Sequence, residues 1–107
     1  MVKKETTDRD VLRYMRRVLR KGWTQKARAR DADGRSVNDH SRRAVSFSLH
    51  GAFLRAMIAL KWSYRTELMA ILRKECGDGH LKWFNDAPGR TKKEVIAVVD
   101  RAIELAA

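Results

Sequence analysis

An apolar series in the middle of the chain constrains the fold most: Val45, Leu49, Ala52, Phe53, Ala56, Met57 and Leu60. Steps of three and four residues put all of them on one side of a helix, so the spacing predicts a long helix over residues 41–60. Phe47, Leu54 and Ile58 widen the apolar surface beyond one stripe. A helix of that kind is expected at the centre of a fold, with neighbours on more than one side. Gly51 interrupts it at a cost of about 1 kcal/mol relative to alanine, which suggests that another helix packs closely there. The polar residues at 38–41 supply its cap.

Shorter patterns surround this series. Thr7 or Asp8 is placed to cap a first helix, whose apolar face is Val11, Leu12, Tyr14, Met15, Val18 and Leu19. Gly22 is expected to end it in the left-handed conformation. In KARARDADGRSV the apolar and basic residues alternate with the period of a strand, and Asp33-Gly34 is a turn pair. This predicts a small β-hairpin at about residues 25–37, with an irregular loop as the alternative. A third helix is expected from a Ser63 cap through Tyr64, Leu68, Ile71 and Leu72 to Gly77, followed by one helical turn at Leu81, Trp83 and Phe84. Thr91-Lys92-Lys93-Glu94 has the form of a capping box, and Val95, Val98, Val99, Ala102, Ile103 and Ala106 continue it as a last helix.

The fold class that follows is mainly α: a compact single domain of about four helices, with the hairpin between helices one and two. At 107 residues the chain has the usual size of one domain. Residues 1–7 read as a flexible basic tail and 8–107 as the helical domain. A lone cysteine, Cys76, points to a reducing cytoplasm and reads as a packing residue. No apolar run approaches the roughly 18 residues of a membrane span, and no secretory leader is expected behind Lys3 and Lys4.

Charge is the unusual property. Lys and Arg number 24 against 13 acids, a formal +11, and residues 1–60 hold +9 of it. Such an excess suits a polyanionic partner. Arg13, Arg16, Arg17, Arg20 and Lys21 project from the first helix, and Lys26, Arg28 and Arg30 lie on the hairpin. Together they are the candidate nucleic-acid-binding residues, expected to form one basic surface that contacts phosphates with little sequence reading. A solvated helix face is the plain alternative, and attachment to an anionic membrane a weaker one. No helix-turn-helix spacing is present, although a dimer could offer the hairpin as a β-ribbon. Trp23, Trp62, Tyr64 and Trp83 are candidates for base stacking, but read first as core or rim residues.

Enzymatic signals are thin. His40, His50 and His80 belong to no metal-binding spacing, and the chain holds no Walker, dinucleotide or nucleophile-elbow motif. Neither a cofactor nor a metal is expected. His50 reads as a hydrogen-bonded core histidine, and with Asp86 it is the only plausible proton carrier. The functional expectation is therefore a non-enzymatic protein that associates with nucleic acid. The alternative is an adaptor or inhibitor that docks the same basic face on an acidic protein.

Gly22-Trp23-Thr24-Gln25, Ala29 to Gly34 (ARDADG), Leu49 to Ala56 (LHGAFLRA), WFNDAPGRTKKEV from Trp83 and DRAIELA at the end carry a resemblance. Over residues 11–106 the chain resembles a small, functionally uncharacterised bacterial and phage family. In that family the positions after GWTQ are small or apolar where this chain has Lys26 and Arg28, and Ser48 stands at a cysteine-like position. The resemblance implies a phage or mobile-element setting and supplies no activity. Within WFNDAPGRTKKEV the residues read as structural, with Trp83 and Phe84 pinning the turn to the core.

Overall fold

A computed structural model describes residues 6–61, 66–77 and 79–106. The proposed Ser63 cap, Tyr64, Trp62 and the first five residues of the tail lie outside them. Five helices are described: α1 (Asp8–Lys21), α2 (Leu49–Ala59), α3 (Thr66–Glu75), α4 (Leu81–Asp86) and α5 (Lys92–Leu105). Between α1 and α2 lie three two-residue strands, β1 (Ala29–Arg30), β2 (Ser36–Val37) and β3 (Ser46–Phe47). They form an antiparallel sheet in the order β2-β1-β3, with Ala29 paired to both Val37 and Phe47. The mainly α class and the hairpin are as expected, and the third strand is an addition.

Local chemistry explains where the first and last helices begin. Thr7 accepts from the Asp10 amide while the Asp10 carboxylate accepts from the Thr7 amide. Thr91 and Glu94 repeat the reciprocal arrangement at α5. Each box satisfies amides that a helix start would otherwise leave open.

The second helix is shorter than its apolar series predicted. Ser48 caps α2 by accepting from the Gly51 amide, so Phe47 and the preceding residues are not helical. Phe47 instead donates its amide to Gly22 and gives its carbonyl to Thr24, while Val45 donates to Arg30. The series Val45-Ser46-Phe47-Ser48 alternates apolar and polar, and strand pairing satisfies its backbone before the helix begins.

Nor is α2 the centre. The buried side of α1, Val11, Leu12, Met15 and Leu19, packs between α2 and α5. Ala52, Phe53 and Ala56 of α2 and Val95, Val98, Val99 and Ala102 of α5 complete that core, to which α3 adds Leu68 and Leu72. Ile58 faces water, so the wide apolar surface of α2 is only partly used.

Two glycines owe their place to close backbone contact. Gly22 has φ −170°, an extended conformation and not the left-handed one expected, but a Cβ there would come within 2.2 Å of the Val45 carbonyl oxygen. At Gly51 the neighbour is the hairpin, not a helix: a Cβ would meet the Arg28 carbonyl oxygen at 1.9 Å. Both allow the strands to lie directly against helix ends.

The loop between α4 and α5 is held mainly by polar contacts. Arg90 lies 3.7 Å over the Phe84 ring, donates to the Phe84 carbonyl at 2.8 Å and pairs with Glu94 at 3.3 Å. Phe84 is half-buried and packs on the core, but Trp83, also expected to pin the turn, is 74% exposed. Its side chain lies on the outer side of a helix too short to bury both aromatics.

A candidate nucleic-acid interface

Residues 13, 16, 17, 20 and 21 are separated by steps of three, one, three and one, so α1 carries them along one stripe opposite its buried side. Arg13, Arg17, Arg20 and Lys21 are exposed, and with Arg16 they line a groove of ≈ 500 Å³. Among the described residues Arg13, Arg17, Arg20 and Lys21 make no ion pair with a carboxylate. Arg17 lies 5.4 Å from the centroid of the Tyr14 ring, a cation–π contact that leaves its edge free to donate. Arg16 differs: its Nε donates to Asp100 at 2.6 Å, which neutralises part of the stripe and ties α1 to α5.

The sequence did not point to Lys92 and Lys93 as members of this surface. Lys92 donates its ammonium to the Arg20 carbonyl, which brings the start of α5 against the end of α1. Lys93 lines an adjoining groove with Arg16 and Asp100. Their capping-box spacing located a helix start, but only the α1–α5 packing shows which cations stand beside it.

The hairpin cations take other places. Lys26 and Arg28 are exposed and line a separate depression with His50, His80 and Lys82, so the two groups of cations do not share one groove. Arg30 is held by its own loop, donating to Thr24 Oγ1 at 2.9 Å, the Gly34 carbonyl at 2.9 Å and the Gln25 carbonyl at 3.1 Å. Its guanidinium closes the hairpin. Because β1 is the middle strand and only two residues long, it offers no free two-stranded ribbon to a groove.

His50 is not a core histidine. It is half-buried on the first turn of α2, its ring 6.1 Å from that of His80. Burial, then the nearby positive charge of Arg28 and then His80 hold it below its ordinary pKa, opposed by Asp39. Asp86 accepts from the Lys26 amide at 2.8 Å and from the Asn85 side chain at 3.0 Å, an anchoring role. Cys76 is buried in the core, and desolvation raises its thiol pKa to about 11. Among the described residues no three His, Cys, Asp or Glu side chains are grouped to hold a metal ion, and no helix is long and apolar enough to cross a membrane.

A buried junction joins the segment before the hairpin to α2 and α4. Asn85, fully buried, accepts on Oδ1 from the Trp23 indole at 2.7 Å and the Leu49 amide at 3.0 Å, and donates to the Thr24 carbonyl at 3.0 Å. Gln25 donates to the Asn85 and Ala87 carbonyls. The GWTQ and WFND segments, far apart in sequence, therefore join in one hydrogen-bonded unit at the start of α2. Trp23 is thus a junction residue and not a stacking platform.

Fold and surface together define a small, basic, mainly α domain with a cationic helix face. The chain belongs to a family of unknown function, DUF6197, whose model matches residues 3–105. No curated protein and no solved structure matches it.

Proposed function

We propose that the protein associates with nucleic acid through the sugar–phosphate backbone, using the exposed face of α1 extended by Lys92 and Lys93. The observation that carries this reading is the stripe of Arg13, Arg17, Arg20 and Lys21, exposed and without carboxylate partners among the described residues. A helix that keeps four such cations on one face concentrates positive potential where a phosphate chain can lie, and binding releases the counterions held by that chain. Contacts of this kind position a backbone without reading bases. The family resemblance adds a phage or mobile-element regulatory setting to the proposal, and the free thiol of Cys76 suits the cytoplasm.

Fluorescence anisotropy with a labelled duplex and a labelled single strand, each taken through a salt series, tests it. Affinity should fall steeply and linearly on logarithmic axes, and Arg13→Ala with Arg17→Ala should reduce the slope by roughly one for each phosphate no longer neutralised. Absence of binding at low salt, or affinity indifferent to salt, would refute the proposal. If capture of an acidic protein by the same face survives nuclease treatment while neither nucleic acid binds, the adaptor reading replaces it.

A further inference from the structure

The depression between the hairpin and α4 has a chemistry of its own. It measures ≈ 310 Å³ and draws Lys26 and Arg28 from the hairpin, His50 from α2, and His80 and Lys82 from the start of α4. Ser48 and Asp86 also line it, but Ser48 is occupied in capping α2, and one Asp86 oxygen already accepts two hydrogen bonds. Three permanent cations thus face one carboxylate. Arg28 is 3.9 Å from its nearest acidic oxygen, on Asp39, too far for a hydrogen bond, so its guanidinium can turn to an anion in the depression.

Trp83 stands at the edge of the same place. Its ring centroid lies 6.0 Å from that of His80, which itself lines the depression, and 74% of the residue is exposed. A large aromatic surface left in water beside a phosphate-sized group of cations is the arrangement that stacks on nucleobases, and such stacking tolerates any base.

We infer that this depression is a nucleotide site, in which Lys26, Arg28, Lys82 and the two histidines hold a phosphate monoester while Trp83 stacks on the attached base. The volume is at the small end of ligand clefts, which run from about 300 Å³, and fits a phosphate and sugar with the base lying outside on Trp83. The residues differ from those of the α1 face, so either proposal can fail without the other.

Proton uptake accompanies binding. His50 is faced by Arg28 from the hairpin, His80 from the start of α4 and Asp39 from the loop before β3, with Lys26, Lys82 and Asp86 around the same depression. In the free protein the surrounding cations and burial favour neutral imidazole, whereas a bound phosphate favours imidazolium. Affinity therefore rises as pH falls toward the lowered pKa of His50, until the phosphate monoester itself takes up a proton at about pH 6.

Isothermal titration calorimetry of the full chain decides the matter with three probes: inorganic phosphate, a purine nucleoside 5′-monophosphate, and a 5′-phosphorylated oligonucleotide beside its 5′-hydroxyl counterpart. The monophosphate should bind saturably and about tenfold or more tightly than inorganic phosphate. Arg28→Ala and Lys82→Ala should each weaken it roughly tenfold, and Trp83→Ala should bring it down to the level of inorganic phosphate. Lys82 and Trp83 are exposed, so their variants keep the fold; Arg28 is exposed but lies 3.9 Å from the buried Asp39 carboxylate, so a thermal melt accompanies its variant, and Arg13→Ala should leave monophosphate binding unchanged. Tighter binding of the phosphorylated strand than of its 5′-hydroxyl counterpart identifies a strand end as the natural occupant; equal binding of the two strands, with the monophosphate bound, identifies a mononucleotide. Failure of all phosphorylated probes, equal affinity for inorganic phosphate and the nucleotide, or indifference to Arg28→Ala and Lys82→Ala would each overturn the inference.

Discussion

The junction around Asn85 and the outer face of α1 are both made of polar side chains, and they use them in opposite ways. At the junction the Asn85 side chain accepts two hydrogen bonds and donates two, with no access to water. Along α1, Arg13, Arg20 and Lys21 stand in solvent with no carboxylate partner among the described residues. Burial makes the first set interdependent, because removing one member leaves the others desolvated and unpaired. Exposure makes the second set independent of the fold and available to an external anion. Arginine shows the contrast within one residue type: Arg30 and Arg90 brace loops through backbone carbonyls, while Arg13 is exposed and makes no ion pair among the described residues.

The contrast can be broken at its strongest point by Asn85→Ala, which strands the Trp23 indole, the Leu49 amide and the Thr24 carbonyl. Urea unfolding should show a loss of roughly 4 kcal/mol, at the upper end for single substitutions. Near wild-type stability would mean that water replaces the side chain and the junction is not the rigid unit described. A smaller effect is expected at the capping box of α5, where Thr91→Ala should cost about 1 kcal/mol in the same assay. The acid limb sharpens this case. The Thr91 amide and hydroxyl, followed by Arg90, hold the Glu94 carboxyl below its ordinary 4.5. Its contribution is therefore complete above that value and is lost as pH falls through the lower folded pKa. Glu94→Gln should flatten the pH dependence of the melting temperature in this acid range. The smallest effect belongs to Arg13→Ala combined with Arg17→Ala: stability should stay within about 0.5 kcal/mol of the parent, even as salt-dependent binding weakens. A large loss of stability there would erase the distinction between the two regions.

Much of the helical frame was legible because its signals are local. Thr7 and Thr91 announce helix starts within four residues, and the buried side of α1 follows from its spacing. Four features were not legible, for reasons that lie beyond local pattern. Val45-Ser46-Phe47-Ser48 satisfies both a helical and a strand period when joined to the residues after it, and only pairing with Gly22 and Arg30 decides between them. The role of Arg30 depends on the carbonyls of its own turn, which leave no trace in residue type. Lys92 and Lys93 reach the α1 surface through tertiary packing of two helices from opposite ends of the chain. The same holds for the depression beside α4: His50 looked like part of an apolar helix until the shortened α2 placed it on an open first turn, opposite His80.

The Asn85 junction also bears on the order in which the chain assembles. It joins residues 62 positions apart at Trp23 and 36 apart at Leu49. Closing loops of that length costs chain entropy before any hydrogen bond forms, whereas the capped helices need only near neighbours. Helices can therefore come and go while the two ends of the molecule are still separate, and the hydrogen bonds to Asn85 form only when both arrive together. The hairpin and α4 are joined through these hydrogen bonds, so a change that breaks the junction would also unmake the depression between them.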